Sequence, residues 1–244
     1  KILAMNPVLA AFSVYIWNVE LVEKVVRVLR RAAPSLPIMA GGPEMAVDFT
    51  GPGWIHELDA VVQGEADVAF AALCGQVLAT PPSPKERPLF FRPERPSPEE
   101  LHLPVEPYTD GDIQNRVVSV EASRGCPMRC AFCTAATVAP VRFPADRVLA
   151  QLQALYDRGV RFFKFLDRSI HLAEYEPILD WLLARPDACA HFELTPHRLE
   201  SGLSDRLRAF GPGRLQVEVG VQTLDRAAAA AVSRPVSGVL EEML

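Results

Sequence analysis

The sequence predicts an α/β protein in which a doubly wound, Rossmann-like sheet is followed by a partial (β/α) barrel. Short apolar runs alternate with amphipathic stretches over residues 8–79, and the same alternation returns from residue 117 onwards. A cluster of prolines separates the two blocks. Strands and helices in turn imply parallel pairing, because a helical crossover returns the chain to the same end of the sheet.

The first block contains predicted strands that alternate with predicted helices. Residues 8–17 form an apolar run typical of a buried strand, and residues 19–33 carry apolar side chains at helical spacing. Two shorter strands and another helix follow, at 36–40, 59–62 and 67–78. Open parallel sheets bind ligands at the carboxyl ends of their strands, so the loops there are candidate binding segments.

The second block repeats the strand and helix pattern. Its four strands predict a parallel barrel or partial barrel, whose chemistry lies at the carboxyl ends of the strands. The pattern fails after residue 222, so we expect the barrel to be incomplete at its carboxyl end. The predicted strands are 117–123, 161–167, 191–195 and 215–222, and the predicted helices are 145–158, 173–184 and 204–210.

We therefore expect a Rossmann-like domain over 1–79, a proline-rich linker over 80–116 and the partial barrel over 117–244. Proline lacks an amide donor and fixes its own backbone, so the linker is expected to be semi-extended. The chain begins at Lys1 rather than at a methionine, which is consistent with truncation of the first domain at its amino end.

Three strands of the second block have one polar face each. Side chains alternate across a strand, which places Glu121, Glu193 and Glu218 on faces shared with other polar residues. Buried parallel strands are normally apolar throughout, so the polar faces indicate a lumen that is wet or filled by a polar ligand. Taken singly, each carboxylate is better explained as an ion-pair partner or as a strand-end residue in water, and it is the set of them that favours a cavity.

Composition excludes several classes of protein. The formal net charge of −5 argues against broad electrostatic binding to nucleic acid. No apolar run reaches membrane-spanning length, and the first residues lack the pattern of a secretory signal. Five cysteines without such a signal are typical of a reducing cytoplasm rather than of a disulfide framework. We expect a cytoplasmic protein with no membrane partner.

The most specific motif is a CxxxCxxC spacing formed by Cys126, Cys130 and Cys133 at the end of the first barrel strand. Three thiolates this close can hold three corners of a [4Fe-4S] cluster and leave the fourth iron open. Zinc sites usually need four ligands, and only the isolated Cys74 and Cys189 remain. The spacing favours the cluster, with zinc or purely structural cysteines as the alternative.

This motif, with Phe132 inside it and Arg124-Gly125 before it, resembles the signature of the radical S-adenosylmethionine (SAM) superfamily. The resemblance implies that the open iron binds SAM, which is cleaved reductively to a 5′-deoxyadenosyl radical. It also implies that Phe132 lies near the adenine and that Glu193 reaches SAM. The segment from Glu218 to Thr223, which includes Gln222, is similar to the fourth-strand segment that touches the ribose.

One departure from the superfamily pattern follows the second barrel strand. The sequence there is LDRS, where the family has a segment similar to glycine-glycine-glutamate that binds the methionine amino group. Asp167 either serves in place of that segment or forms a local ion pair with Arg168, and the sequence leaves both interpretations open.

In the first block, three loops follow strands and contain FSVYIWN, GGPE and QGEAD. Glycines there either let a ligand approach the backbone or only make strand-to-helix turns. The order of these segments before a radical SAM block resembles the cobalamin-binding domain of the B12-dependent branch. The resemblance implies that Ser13, Gly41 and Gly42 lie against the nucleotide tail of cobalamin. We extend the expected cofactor contacts to the rest of these loops, namely Pro43, Glu44, Gly64 and Glu65.

The DxHxxG motif, which supplies a histidine to cobalt in many cobalamin proteins, is absent from residues 1–79. His56 has no such motif around it and is expected to be a loop histidine in water.

The sequence therefore predicts a radical SAM enzyme with a [4Fe-4S] cluster, SAM and cobalamin, which transfers a methyl group to an unactivated carbon. The expected partners are a small-molecule or natural-product substrate and an electron donor of flavodoxin or ferredoxin type. A radical SAM cyclase or oxidoreductase is one alternative, and a non-catalytic metal-binding or redox-sensing module is another. No residue is singled out as the catalytic hydrogen donor.

Overall fold

The computed structural model describes residues 1–45, 53–83, 87–133, 135, 138–170, 172–195 and 202–234. The chain divides into two compact units, Lys1–Leu101 and His102–Leu244. We call them the first and the second unit. In the described part of the chain, no helix has the length and apolar character needed to cross a membrane.

The first unit is a four-stranded parallel sheet with strand order β1-β2-β3-β4. The predicted strands and helices are present, with shorter boundaries than expected for β1. The strands are β1 (Ala10–Ser13), β2 (Ile38–Gly41), β3 (Ala60–Val62) and β4 (Leu89–Phe91), and the helices are α1 (Val19–Ala32) and α2 (Phe70–Ala79).

The two helices cover opposite faces of this sheet. Buried side chains of α1, including Val26, pack in one core cluster with Ile38 of β2. Val77 of α2 packs in a second cluster with Met39, the next residue of the same strand. Neighbouring residues of a strand point to opposite faces, so the sheet is doubly wound, as the sequence predicts.

A buried aspartate joins the elements of the first unit. Asp59 is 1% exposed and accepts a hydrogen bond of 2.7 Å from the amide of Ile38. Its carboxylate also lies 2.6 Å from the guanidinium of Arg30 and 2.7 Å from that of Arg87. The carboxylate therefore ties α1 and β2 to the segment that enters β4.

The proline-rich segment is not a connector throughout, which differs from the linker expected over 80–116. Strand β4 pairs with β3 inside this segment, with Ala60 opposite Leu89. Prolines are tolerated there because β4 is the edge strand and Pro88 and Pro93 stand outside it. The segment also contains helix α3 (Asp110–Asn115), which begins with a capping box between Thr109 and Asp112.

The second unit contains another four-stranded parallel sheet, with strand order β10-β9-β8-β5. A two-stranded antiparallel pair, β6 with β7, stands beside it. The strands are β5 (Val118–Val120), β6 (Ser123–Arg124), β7 (Val141–Arg142), β8 (Phe162–Phe165), β9 (Cys189–Leu194) and β10 (Leu215–Val219), and the helices after α3 are α4 (Ala145–Asp157), α5 (Leu172–Leu183), α6 (Leu203–Arg208) and α7 (Arg226–Ala231).

The faces of this sheet differ in polarity. On one face, Phe163, Phe165 and Phe192 are buried in the core. On the other, the register places Ser119, Lys164, His191 and Gln216 side by side across the four strands, and Glu193 beside Glu218. The polar strand faces expected from the sequence thus form one continuous surface.

Candidate functional site

The three cysteines of the CxxxCxxC motif lie in a loop of residues 125–140 between β6 and β7, which we call the cysteine loop. The base of this loop is closed by pairing of Ser123 with Arg142 and of Arg124 with Val141. Gly125 has a φ of +88°, and a Cβ at this position would lie 2.8 Å from the carbonyl oxygens of Val138 and Ala139. Glycine is therefore required where the two arms of the loop cross.

Asp167 supports the strand that enters the cysteine loop. Its carboxylate accepts hydrogen bonds of 3.0 Å from the amide of Ala122 and 2.6 Å from the hydroxyl of Ser123, and another from the hydroxyl of Tyr175. Burial raises the pKa of Asp167 above its usual value, against these hydrogen bonds, which lower it. Asp167 is 1% exposed, and its carboxylate is engaged in hydrogen bonds within the protein.

These contacts correct both interpretations of the LDRS segment. Asp167 bonds to neutral donors of the protein and does not line the cavity beside the cysteines. Arg168 pairs instead with Glu193, with 3.5 Å between the guanidinium and the carboxylate. Asp167 is therefore a positioning residue for the loop, and Arg168 faces the cavity.

A cavity of about 370 Å³, which we call the cysteine pocket, lies beside the loop at the carboxyl ends of β9 and β10. Its volume falls in the range of about 300–1,000 Å³ common for small-molecule sites. It gathers all the site residues that the sequence predicts for the second block, namely Cys126, Phe132, Cys130, Cys133, Glu193, Glu218 and Gln222.

The donor set of the cysteine pocket fits a cubane cluster. All three cysteines are free thiols, and no fourth cysteine lines the cavity among the described residues. Over the described ranges, no three His, Cys, Asp or Glu side chains are grouped closely enough to hold one metal ion. A structural zinc site needs four ligands, whereas the three thiols that line this cavity would hold three corners of a cluster and leave its fourth iron open.

The carboxylates of the cysteine pocket differ in exposure. The side chain of Glu193 is 24% exposed and carries the ion pair with Arg168. The side chain of Glu218 is 69% exposed and lies 3.7 Å from the buried His191. Gln222 follows β10 with a φ of +67°, which turns the chain at the pocket wall.

Sequence reasoning missed two cations of this pocket, Arg168 and Arg234. Arg168 was noticed only as a partner for Asp167. Arg234 follows α7, and nothing in the spacing of the sequence relates it to the cysteines. Its guanidinium nonetheless lies 3.5 Å from the sulfur of Cys130.

The first unit has its own cavity, of about 600 Å³, at the carboxyl ends of β1, β2 and β3, which we call the glycine pocket. Its lining includes the two aromatic side chains Tyr15 and Phe70, which the sequence analysis did not single out. The predicted cofactor-binding residues that line it are Ser13, Gly41, Gly42, Gly64 and Glu65.

Pro43 and Glu44 do not line the glycine pocket, although the sequence analysis placed them with Gly41 and Gly42. They form a 3₁₀ turn, Pro43–Met45, in which the amide of Glu44 bonds to the carbonyl of Val14 at 3.2 Å. The turn takes them away from the strand end because the chain reverses at Gly42.

The glycines of this pocket have separate roles. Gly42 has a φ of +104°, and a Cβ there would lie 2.7 Å from the carbonyl oxygen of Val14, so this position needs glycine for the turn. Gly64 has a φ of +102° with open space around its Cβ position. Gly42 therefore agrees with the interpretation as a strand-to-helix turn, and the approach of a ligand to these glycines stays a prediction.

No histidine lines the glycine pocket among the described residues. His56 lies in the 3₁₀ turn Ile55–Glu57 and is exposed, which confirms the expectation of a loop histidine in water. The cavity, its glycine wall and its aromatic side chains fit a large, partly apolar cofactor.

Comparisons with known proteins agree with this geometry. No protein-family model matches the chain. It is 29% identical to a 2-(S-pantetheinyl)-carbapenam-3-carboxylate methyltransferase of Streptantibioticus cattleyicolor, over 64% of this chain and 26% of the relative. It is 27% identical to the cobalamin-dependent radical SAM methyltransferase TokK of Streptomyces tokunonensis, over 61% of this chain and 25% of that protein.

A third relative, an uncharacterized methyltransferase of Pyrococcus horikoshii, is 28% identical over 61% of this chain and 37% of its own length. The chain thus spans about a quarter to a third of the curated relatives it matches.

Among solved structures, the chain is similar to the radical SAM methyltransferase TsrM of Kitasatospora setae, determined with cobalamin and a [4Fe-4S] cluster bound. The TM-score is 0.63 at 14% identity, over 97% of this chain and 53% of TsrM. The predicted fold class is confirmed by this likeness, and the chain resembles the cobalamin-binding branch of the radical SAM superfamily in both sequence and fold.

Proposed function

We propose that this chain is the cofactor-binding part of a cobalamin-dependent radical SAM methyltransferase that methylates an unactivated carbon of a small molecule. The observation that carries the proposal is the cysteine pocket. There the three cysteines of the CxxxCxxC motif line one cavity together with polar residues from β9 and β10. The similarity to methyltransferases supports the group that is transferred.

In this proposal Cys126, Cys130 and Cys133 hold the cluster, and Phe132 packs against the adenine of SAM. Glu193, Glu218 and Gln222 bind polar groups of SAM. When bound, the cluster supplies the electron that cleaves SAM, and cobalamin supplies the methyl group. In this proposal the chain itself binds and orients these groups and limits the access of water, which the 4% exposure of Cys130 supports.

Ser13, Gly41, Gly42, Gly64 and Glu65 hold cobalamin in the glycine pocket in this proposal. Glu65 is fixed by Arg95 at 2.7 Å, so its carboxylate shapes the wall rather than reaching freely into the cavity. The natural-product substrate, the flavodoxin or ferredoxin type of electron donor and the cytoplasmic location belong to the same proposal.

The experiment compares the parent protein with a triple variant, Cys126→Ala with Cys130→Ala and Cys133→Ala, after anaerobic reconstitution with iron, sulfide and hydroxocobalamin. We expect the variant to lose the brown absorbance, the bound iron and the reductive cleavage of SAM. It should retain cobalamin, because the glycine pocket belongs to the first unit. The measurements are optical spectra, iron and cobalt content, and chromatography of 5′-deoxyadenosine.

The matched control replaces Cys74 and Cys189 by alanine, since these cysteines lie in α2 and β9 and line neither pocket. This variant should keep the iron and the cleavage. Cleavage retained by the triple variant, or zinc without iron in the parent, would contradict the cluster. Formation of S-adenosylhomocysteine during turnover supports methyl transfer, whereas 5′-deoxyadenosine alone supports the cyclase or oxidoreductase alternative.

A further inference from the structure

The segment after α7 is attached to the cysteine loop by its backbone. The amide of Ala131 donates a hydrogen bond of 3.0 Å to the carbonyl of Val232. Ser233 then adopts a φ of +54°, and the amide of Arg234 bonds back to the carbonyl of Ala229 at 2.8 Å. These contacts fix the direction in which the side chain of Arg234 leaves the backbone.

The guanidinium of Arg234 joins two walls of the cysteine pocket. Nη2 donates to the carbonyl oxygen of Gly220, just after β10. Nη1 lies 3.5 Å from Sγ of Cys130, within the range of a hydrogen bond to sulfur. A Cβ on Gly220 would lie 3.3 Å from Nη2, so the absence of a side chain at Gly220 gives the guanidinium its space.

The charge of Arg234 is directed at the cysteine. In the described part of the chain, no carboxylate forms an ion pair with this guanidinium, unlike Arg168, which pairs with Glu193. Cys130 is 4% exposed, so little water screens the interaction. A cation in this position stabilises any negative charge that is added next to it.

We infer that Arg234 is a positioning residue that holds Cys130 for the cluster and raises the reduction potential of the cluster by donating a hydrogen bond to that sulfur. This inference rests on the proposed function. Reduction adds one negative charge to the cluster, and hydrogen bonds to sulfur, with net charge nearby, set the potential at which it occurs. The reduced state is therefore the one that Arg234 stabilises more.

The test is a redox titration of the reconstituted protein in the absence of SAM, followed by electron paramagnetic resonance. Arg234→Met should shift the midpoint potential to a more negative value. Arg234→Lys keeps the charge but not the two-armed geometry, and should restore part of the shift. The matched control is Arg129→Met. Arg129 belongs to the same loop but is exposed and does not line the cysteine pocket, so its charge is screened by water.

An unchanged midpoint potential in Arg234→Met, at the iron content of the parent, would overturn the inference. The same holds if Arg129→Met shifts the potential as much, since the effect would then be one of net charge alone. If Arg234→Met fails to retain iron, the Arg234→Lys variant is the test. Retained iron with a partial shift of the midpoint potential supports the inference. Retained iron with the midpoint potential of the parent overturns it. A parent protein that binds no iron would instead refute the proposed function.

Discussion

The glycine pocket of the first unit exposes main chain at three glycines among mostly apolar side chains, whereas the cysteine pocket of the second is lined by thiols and charged side chains. Gly41, Gly42 and Gly64 bring main chain to the surface of the first cavity. The second cavity presents cysteines, carboxylates and two arginines. A backbone site is sensitive to added atoms, and a side-chain site is sensitive to lost functional groups, so the two units should respond to different substitutions.

Among the described residues, each unit has one buried aspartate, and the two differ in their partners. Asp59 contacts two guanidinium groups, those of Arg30 and Arg87. Over the described ranges of the chain, the donors to Asp167 are neutral and come from Ala122, Ser123 and Tyr175. Removing the charge should therefore take the counter-charge from two largely enclosed guanidinium groups in the first unit, whereas the described donors to Asp167 in the second unit are uncharged.

The largest expected effect is that of Asp59→Asn. Because Arg30 and Arg87, whose side chains are 11% and 15% exposed, lose the buried carboxylate that pairs with them, we expect a loss of about 3–5 kcal/mol in the free energy of unfolding. Asp167→Asn should cost less, about 1–3 kcal/mol, since only hydrogen-bond geometry is lost. Denaturant unfolding of both variants measures the difference. Equal losses in the free energy of unfolding would show that the two arginines do not make Asp59 more important for stability than Asp167.

The pH dependence sharpens the same comparison. Burial raises the pKa of Asp167 in the folded protein. The contribution of Asp167 to the free energy of unfolding is therefore fully present below its unfolded pKa of about 3.9. It is lost as the pH rises through the folded pKa. The advantage of the parent over Asp167→Asn should therefore be greater at about pH 4 than at about pH 8. The opposite trend would contradict the raised pKa.

The next prediction compares three glycines of the first unit. Gly42→Ala places a Cβ 2.7 Å from backbone at a positive φ. It should lower the free energy of unfolding by about 2–5 kcal/mol and abolish cobalamin binding. Gly64→Ala meets open space and should cost only about 1–2 kcal/mol, for its positive φ. Gly75→Ala, in helix α2, is the control and should stabilise by about 0.5–1 kcal/mol. Thermal unfolding and cobalamin content are the measurements.

The same contrast explains how far the sequence could predict the molecule. Hydrophobic periodicity was enough for the doubly wound sheet and the barrel strands, and spacing alone identified the three cysteines. Strand β4 escaped detection because three residues between prolines carry no periodic pattern, and its pairing with β3 is a tertiary interaction. Arg234 escaped because it meets Cys130 across 104 residues of sequence, a distance that no local pattern encodes.

The smallest expected effect separates the two carboxylates of the cysteine pocket. Glu193 is the more enclosed, and its ion pair with Arg168 limits the conformations of its side chain, whereas Glu218 is mostly in water. We therefore expect Glu193→Gln to weaken SAM binding about tenfold, which corresponds to about 1.4 kcal/mol, and Glu218→Gln to weaken it less. Equilibrium dialysis of SAM against the reconstituted protein measures both, and iron content is the control for an intact cluster. A greater loss in Glu218→Gln would mean that the exposed carboxylate becomes enclosed when SAM binds. The exposures of the two side chains would then not rank their contributions to SAM binding.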